Sequence, residues 1–240
     1  MLLSLLPVVM ITITMLATFI LRRSYLKRIS AKTYGALLSG AVIMNTGFLI
    51  PFIQRLYGAS GLARFAVIDT VNGIIIFSLV YAVVVKIGHD KPDNSYILKK
   101  LLLAPPLWAL TLALLFKFSH LHLPTTINDT LSLLSSLVSP VILIALGLKF
   151  TLKVKNARLL AVPLALRFVL GGIIGMLFVR VAHLHGLTAQ VAIFASLAPI
   201  GFNSITFSEL EHLDTEFAAS QVSVGLLIAI VLTPFLAHWL

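Results

Sequence analysis

Eight long apolar runs divide the chain, at about 2–21, 33–54, 63–86, 101–118, 130–149, 158–181, 187–208 and 216–238. Each approaches the roughly 20 residues that an α-helix needs to cross a bilayer. The runs are continuous and do not alternate with polar residues, so they read as helices and not as barrel strands. The connections are tight, which predicts one bundle without a soluble domain. The fourth run is the shortest and carries Pro105 and Pro106 near its start, where a helix tolerates proline.

Two of the runs are interrupted. "NTGFLIP", residues 45–51, falls in the second, and "APIGFNS", residues 198–204, falls in the seventh. Each places Gly, Pro, Phe and Asn within seven residues, a composition that weakens a helix. Successive spans alternate in direction, so these two run antiparallel. Pro51 and Pro199 each remove a backbone donor. Gly47 and Gly201 permit close backbone approach. The freed peptide groups need a neighbouring helix, water or a ligand. Paired Gly/Pro-interrupted segments in inverted halves point to a transporter's binding site; ordinary kinks, which membrane helices tolerate, are the alternative. The candidate substrate-binding residues are Asn45, Thr46, Gly47, Pro51, Pro199, Gly201, Asn203 and Ser204.

Composition supports lipid as the solvent. The chain is 59% hydrophobic and 11% charged, with mean hydropathy +1.06, against roughly 25% charged residues in soluble domains. The net charge of +10 is not a nucleic-acid footprint, because the bases sit between apolar runs. Thirteen Lys and Arg fall in the first, third and fifth connections (Arg22 to Lys32, Lys86 to Lys100, Lys149 to Arg158), against four on the opposite side: Arg55, Arg64, Lys117 and Arg180. The basic side is expected to be cytoplasmic, with both termini on the other side. The first run lacks a basic leader and a small-residue cleavage site, so it reads as a spanning helix.

Chemistry-bearing residues are few. The absence of Cys excludes disulfides and thiolate chemistry. There is no P-loop, no H-E-x-x-H and no G-x-S-x-G, so neither ATP drive nor hydrolytic catalysis is expected in this chain. Asp69 lies about two turns into the third run with Asn72 at i+3 on the same face. An intramembrane carboxylate is costly, so Asp69 either binds H+ or Na+ with Asn72 or pairs with Arg64 or Arg55. Arg167 is the deepest base, and three uses stay open: an anionic substrate, backbone carbonyls or Asp69, and the interface. Glu209 and Glu211 read as solvated, or as partners of the basic connections. His120, His122, His183 and His185 lack nearby carboxylates and read as exposed loop residues, so no metal site is expected. Gly171 and Gly175 at i, i+4 suit close helix packing.

The chain resembles the auxin efflux carrier family of membrane transporters. The resemblance rests on "NTGFLIPFIQRLYGASGLA", "IDTVNG", "LKKLLLAPPLWALTLALLF", "SPVILIALGLKF" and "ASLAPIGFNSITFSELEHLDTEFAASQVSV", in that order and spacing. It implies two inverted repeats in which broken helices cross at the substrate site. The eight runs match the family's helices three to ten. Residues 1–87 and 156–240 would form two three-helix transport units, and 88–155 a scaffold pair. The expected fold is therefore an all-α membrane protein of about eight transmembrane helices, a partial inverted repeat with two crossing broken helices. The expected function is secondary-active transport of a small organic anion by an elevator-like mechanism, driven by H+, Na+ or the substrate's own gradient. A non-transporting or degenerate membrane subunit is the alternative, and an intramembrane enzyme a more remote one. The expected setting is the cell membrane, as a multi-pass homodimer, with no cofactor and no nucleic-acid partner.

Overall fold

The computed structural model describes residues 2–89, 93–119, 123–151 and 156–239. A single 3-10 turn, Leu2–Ser4, leads into α1 (Leu5–Arg23). There follow α2 (Ala31–Val42), α3 (Thr46–Ile75), a π-helical turn (Ile76–Val80), α4 (Tyr81–Gly88), α5 (Asn94–Leu102), α6 (Pro105–Ser119) and α7 (Thr125–Leu148). The second half comprises α8 (Ala157–Leu164), a π-helical turn (Ala165–Leu170), α9 (Gly171–Val181), α10 (Gly186–Ser196), α11 (Asn203–Leu210) and α12 (Thr215–Trp239). Among the described residues there is no strand, only one isolated antiparallel bridge between Met44 and Ile200.

Every predicted apolar run is helical, and the fold is all-α. Among the described residues four stretches are long and apolar enough by themselves to cross a membrane: Leu2–Arg23, Thr46–Gly88, Ala157–Val181 and Thr215–Ala237. A fifth is the pair α5 and α6, bent by 60° at Leu103 and Ala104. The second and seventh runs are broken, at 43–45 and 197–202. The break in the second run lies upstream of Pro51, which sits inside continuous helix with its side chain exposed. Helix α5 is a departure from expectation, since most of it falls in a segment read as a connection.

The Thr46–Gly88 stretch holds 43 residues, or about 65 Å of straight helix, twice the bilayer core of about 30 Å. It reverses at Gly58, whose φ of 60° and ψ of −158° interrupt the helix. Glycine is the residue that adopts this conformation without a Cβ clash. Thr46 lies twelve residues before Gly58 and Asp69 eleven after it, so an antiparallel hairpin puts both at one level, about 17 Å from the turn. The Thr46 hydroxyl faces the Asp69 carboxyl across it.

Two triads result: α1, the broken α2–α3 segment and the 59–88 segment; then α8–α9, the broken α10–α11 segment and α12. Between them the arm α5–α7 joins one triad to the other. The buried residues form two clusters. One includes Leu26, Leu37, Val84, Ile205 and Val222; the other includes Leu6, Phe48, Phe65, Val191 and Phe194. Ile43 and Ile200 belong to the first, Met44 and Ala198 to the second. The two helix breaks therefore lie at the seam between the clusters.

Candidate functional site: the crossing of two broken helices

The segments that follow α2 and α10 leave the helical conformation, and they meet. Asn45 donates its backbone N–H to the Pro199 carbonyl at 2.8 Å, and Gly201 donates to the Ile43 carbonyl at 2.9 Å. These two bonds make the Met44–Ile200 bridge. Of the partners open to freed peptide groups, the opposite broken helix serves these four residues. The approach requires glycine: a Cβ on Gly201 would lie 2.5 Å from Ile43 Cγ2 and 2.9 Å from the Met44 carbonyl oxygen.

On the first-half side, Asn45 is 4% exposed. Its Oδ1 accepts from the Phe48 N–H at 3.1 Å and caps α3, as an N-cap asparagine does. Its Nδ2 is buried and without a partner. Thr46 and Gly47 follow in the first turn, both half-buried. Asp69 is half-buried beside Thr46, and Asn72, at 2% exposed, has a buried Oδ1 without a partner. Arg64, a possible partner of Asp69, donates instead to Thr188 Oγ1 at 3.1 Å and to the Ser60 carbonyl at 2.8 Å. A buried polar group without a partner costs about 1–3 kcal/mol. An orphan donor on Asn45 and an orphan acceptor on Asn72 are therefore what a polar guest would satisfy.

On the second-half side, Ser204 is fully buried, and its Oγ donates to the Gly201 carbonyl at 2.9 Å. Asn203 is half-buried at the start of α11. Pro199 contributes its carbonyl to the bridge. The structure thus brings Asn45, Thr46, Gly47, Pro199, Gly201, Asn203, Ser204 and Asp69 to or beside the crossing. Pro51 stands apart, inside continuous α3 with its side chain exposed.

Arg167 is the largest fully buried side chain, at 1% exposed. Its Nε donates to the Ala198 carbonyl at 2.8 Å, and an Nη donates to the Ser196 carbonyl at 2.7 Å. Of its three open uses, the structure selects backbone carbonyls. Arg167 stands in the π-helical turn Ala165–Leu170, a kind of turn frequent at functional sites. Gly171, Gly172 and Gly175 allow α9 to lie against the end of α10: a Cβ on Gly175 would meet Ser196 Oγ at 2.0 Å.

A second polar cluster sits at the far end of α11. Glu211, expected to be solvated or paired with the basic connections, has a fully buried side chain. It accepts from Tyr81 Oη at 2.7 Å and Lys100 Nζ at 3.3 Å, with His89 Nδ1 at 3.6 Å. Tyr96 of α5 reaches His89 Nε2 at 3.1 Å. The exposed Glu209 pairs with Lys149. Sequence reasoning missed Tyr81 and the depth of Glu211; the fold alone shows how closely Gly88 approaches, where a Cβ would meet the Glu211 carbonyl oxygen at 2.5 Å. His183 and His185 are exposed as expected, while His120 and His122 lie outside the described residues. Among the described residues no three His, Cys, Asp or Glu gather as a metal site.

Crossed, broken helices within an all-helical bundle of membrane-spanning length define a polytopic membrane protein of the transporter class. The chain belongs to the family described as "Membrane transport protein", whose model matches residues 1–237, and the resemblance to the auxin efflux carriers holds. It is 30% identical over 213 residues to an uncharacterized transporter of Methanothermobacter thermautotrophicus, covering 85% of this chain and 67% of that protein. It is 26% identical over 196 residues to an uncharacterized transporter of Methanocaldococcus jannaschii, covering 79% of this chain and 63% of the relative. The match thus spans about two-thirds of each relative's length.

Proposed function

We propose that the protein is a secondary-active transporter of small organic anions that works by elevator-like alternating access. The observation that carries this reading is the pairing of two oppositely directed broken helices through Met44 and Ile200 at the seam of the core. Two half-helix N-termini, at Thr46 and Asn203, meet there beside the unpartnered Asn45 amide. Helix N-termini favour anions. In this reading Asn45, Thr46, Gly47, Pro199, Gly201, Asn203 and Ser204 surround the solute, and Pro51 shapes α3 without touching it. Asp69 and Asn72 take the coupling H+ or Na+. Residues 1–87 and 156–240 move together as the transport unit, against a scaffold formed by 88–155 in a homodimer. The setting is the cell membrane, with both termini on the non-cytoplasmic side, as the basic connections favour.

The test is solute flux in proteoliposomes across a panel of organic acids. Asn45→Ala and Asn203→Ala are each expected to lower uptake by about tenfold or more, the scale of one lost charge-assisted hydrogen bond. Asn45→Ala also removes a helix cap worth about 1 kcal/mol, so its folded yield is measured alongside. Wild-type rates in both variants would defeat the site.

A further inference from the structure

Arg167 is a buried cation without a counter-ion among the described residues. Among the described residues no carboxylate lies within ion-pair distance of it, and its hydrogen-bond partners are the Ser196 and Ala198 carbonyls. These carbonyls stand where α10 breaks, immediately before the bridge-forming Pro199–Gly201 segment. The end of a helix carries only about half a negative charge, which leaves the guanidinium incompletely neutralised. A buried ion in that state is costly unless something completes it.

Among the described residues an acidic group also stands beside the crossing: Asp69, next to Thr46 on the opposite broken segment. Two bonds lie between them, Asn45 N–H to the Pro199 carbonyl and Arg167 Nε to the Ala198 carbonyl, with Asp69 beside Thr46 at one end. One negative and one positive group thus flank the paired backbone. When H+ or Na+ occupies Asp69, the guanidinium and the two half-helix N-termini leave the crossing positive.

We infer that Arg167 is a positioning residue that also sets the charge preference of the crossing: it fastens the broken end of α10 and supplies the positive charge that a carboxylate-bearing solute completes. Arg167 acts through the carbonyls it holds and does not touch the solute. The inference rests on the transport reading for where the solute sits, and it deepens that reading by ascribing the anion preference to one residue.

The experiment uses the purified full chain in detergent and reads the shift in melting temperature with malonate, lactate or uncharged malonamide. Malonate is expected to stabilise the wild-type chain and malonamide not to. Arg167→Gln, which keeps a donor and loses the charge, is expected to weaken malonate binding about tenfold, or ~1.4 kcal/mol. Arg167→Lys, which keeps the charge, is expected to hold within a few-fold of wild type. Asp69→Asn is expected to tighten malonate binding, a sign that loss of packing does not produce. The inference is overturned if neither carboxylate shifts the wild-type chain, if Arg167→Gln binds malonate as wild type does, or if Arg167→Lys and Arg167→Gln lose it equally. Should Arg167→Gln not fold, weaker malonate binding by Asp69→Asn would overturn it instead. Malonate binding without flux of any organic acid in proteoliposomes would remove the transport reading and leave this one standing.

Discussion

The two triads and the arm between them are both built from apolar helices, yet they treat that apolarity differently. In the triads Leu37, Leu38 and Ile53 are fully buried, whereas in the arm Leu133 is 64% exposed, Phe118 73% and Leu148 82%. Neither α5 nor α6 contributes a buried residue. In lipid, apolar side chains gain little by leaving the solvent, so hydrophobicity does not decide which helices associate. Small residues and polar contacts do. Gly40 has no room for a Cβ, because the Gln221 amide would lie 2.2 Å away, and the same amide donates to the Ala36 carbonyl at 2.6 Å. Gly171, Gly175 and Gly201 are equally closed, while Gly147 of the arm has nothing within 4 Å of its missing Cβ.

The sharpest way to break this contrast is a pair of glycine substitutions. Gly201→Val forces a side chain into the Ile43–Met44 backbone and is expected to cost about 3 kcal/mol, the upper end for overpacking. Gly147→Ala meets open space inside a helix and is expected to stabilise by about 0.5–1 kcal/mol. Unfolding in a denaturing-detergent titration measures both; equal midpoints would mean that the crossing is not tightly packed. A smaller effect separates the two carboxylates at the end of α11. Glu211→Ala leaves the Tyr81 hydroxyl without its acceptor and Lys100 without its partner, for about 1–3 kcal/mol. Glu209 is 44% exposed at its side chain, so Glu209→Ala is expected to cost under about 1 kcal/mol and to lose even that at high salt. If the two cost the same, α5 is not anchored to the core through Glu211.

The smallest effect lies at the outer edge of the arm. The Ser95 hydroxyl, 2.8 Å from Asp93, holds that exposed carboxyl below the usual carboxylate range. A group lowered on folding stabilises the fold above its unfolded value, near about 3.9, and loses that contribution as pH falls through the folded value. Acidification below about pH 4 is therefore expected to loosen the start of α5, and Asp93→Asn to remove that dependence. Trp108, whose Nε1 donates to the Leu102 carbonyl at 2.6 Å across the bend, provides a fluorescence readout. A pH response that persists in Asp93→Asn would assign it elsewhere.

Much of this fold is legible in the sequence, because lipid leaves helices few alternatives. The apolar runs match helical segments to within a few residues at most ends, and Asn45, Gly201 and Asn203 mark the breaks. What the breaks do was not legible: the bridge is made by the backbone of residues 44 and 200, and main-chain groups carry no local signature of a partner so far along the chain. Pro51 stands in the second turn of α3, and the break falls upstream of it because the Ile43 and Asn45 backbone pairs with Gly201 and Pro199. Helix α5 resembles a connection in sequence because it is short and basic at its end; Tyr96 and Lys100 reach the core through His89 and Glu211. Arg167 was legible as unusual but not as a clasp on carbonyls, since its acceptors carry no side-chain identity.

Because the crossing is joined by peptide groups, its shape does not depend on the side chains of Met44 and Ile200. Those positions, and the amide and hydroxyl groups beside them, can be exchanged for others of similar volume while the frame stays where it is. The surface beside the crossing can thus change while the main-chain frame persists, with Gly201 held to glycine by the Ile43–Met44 backbone.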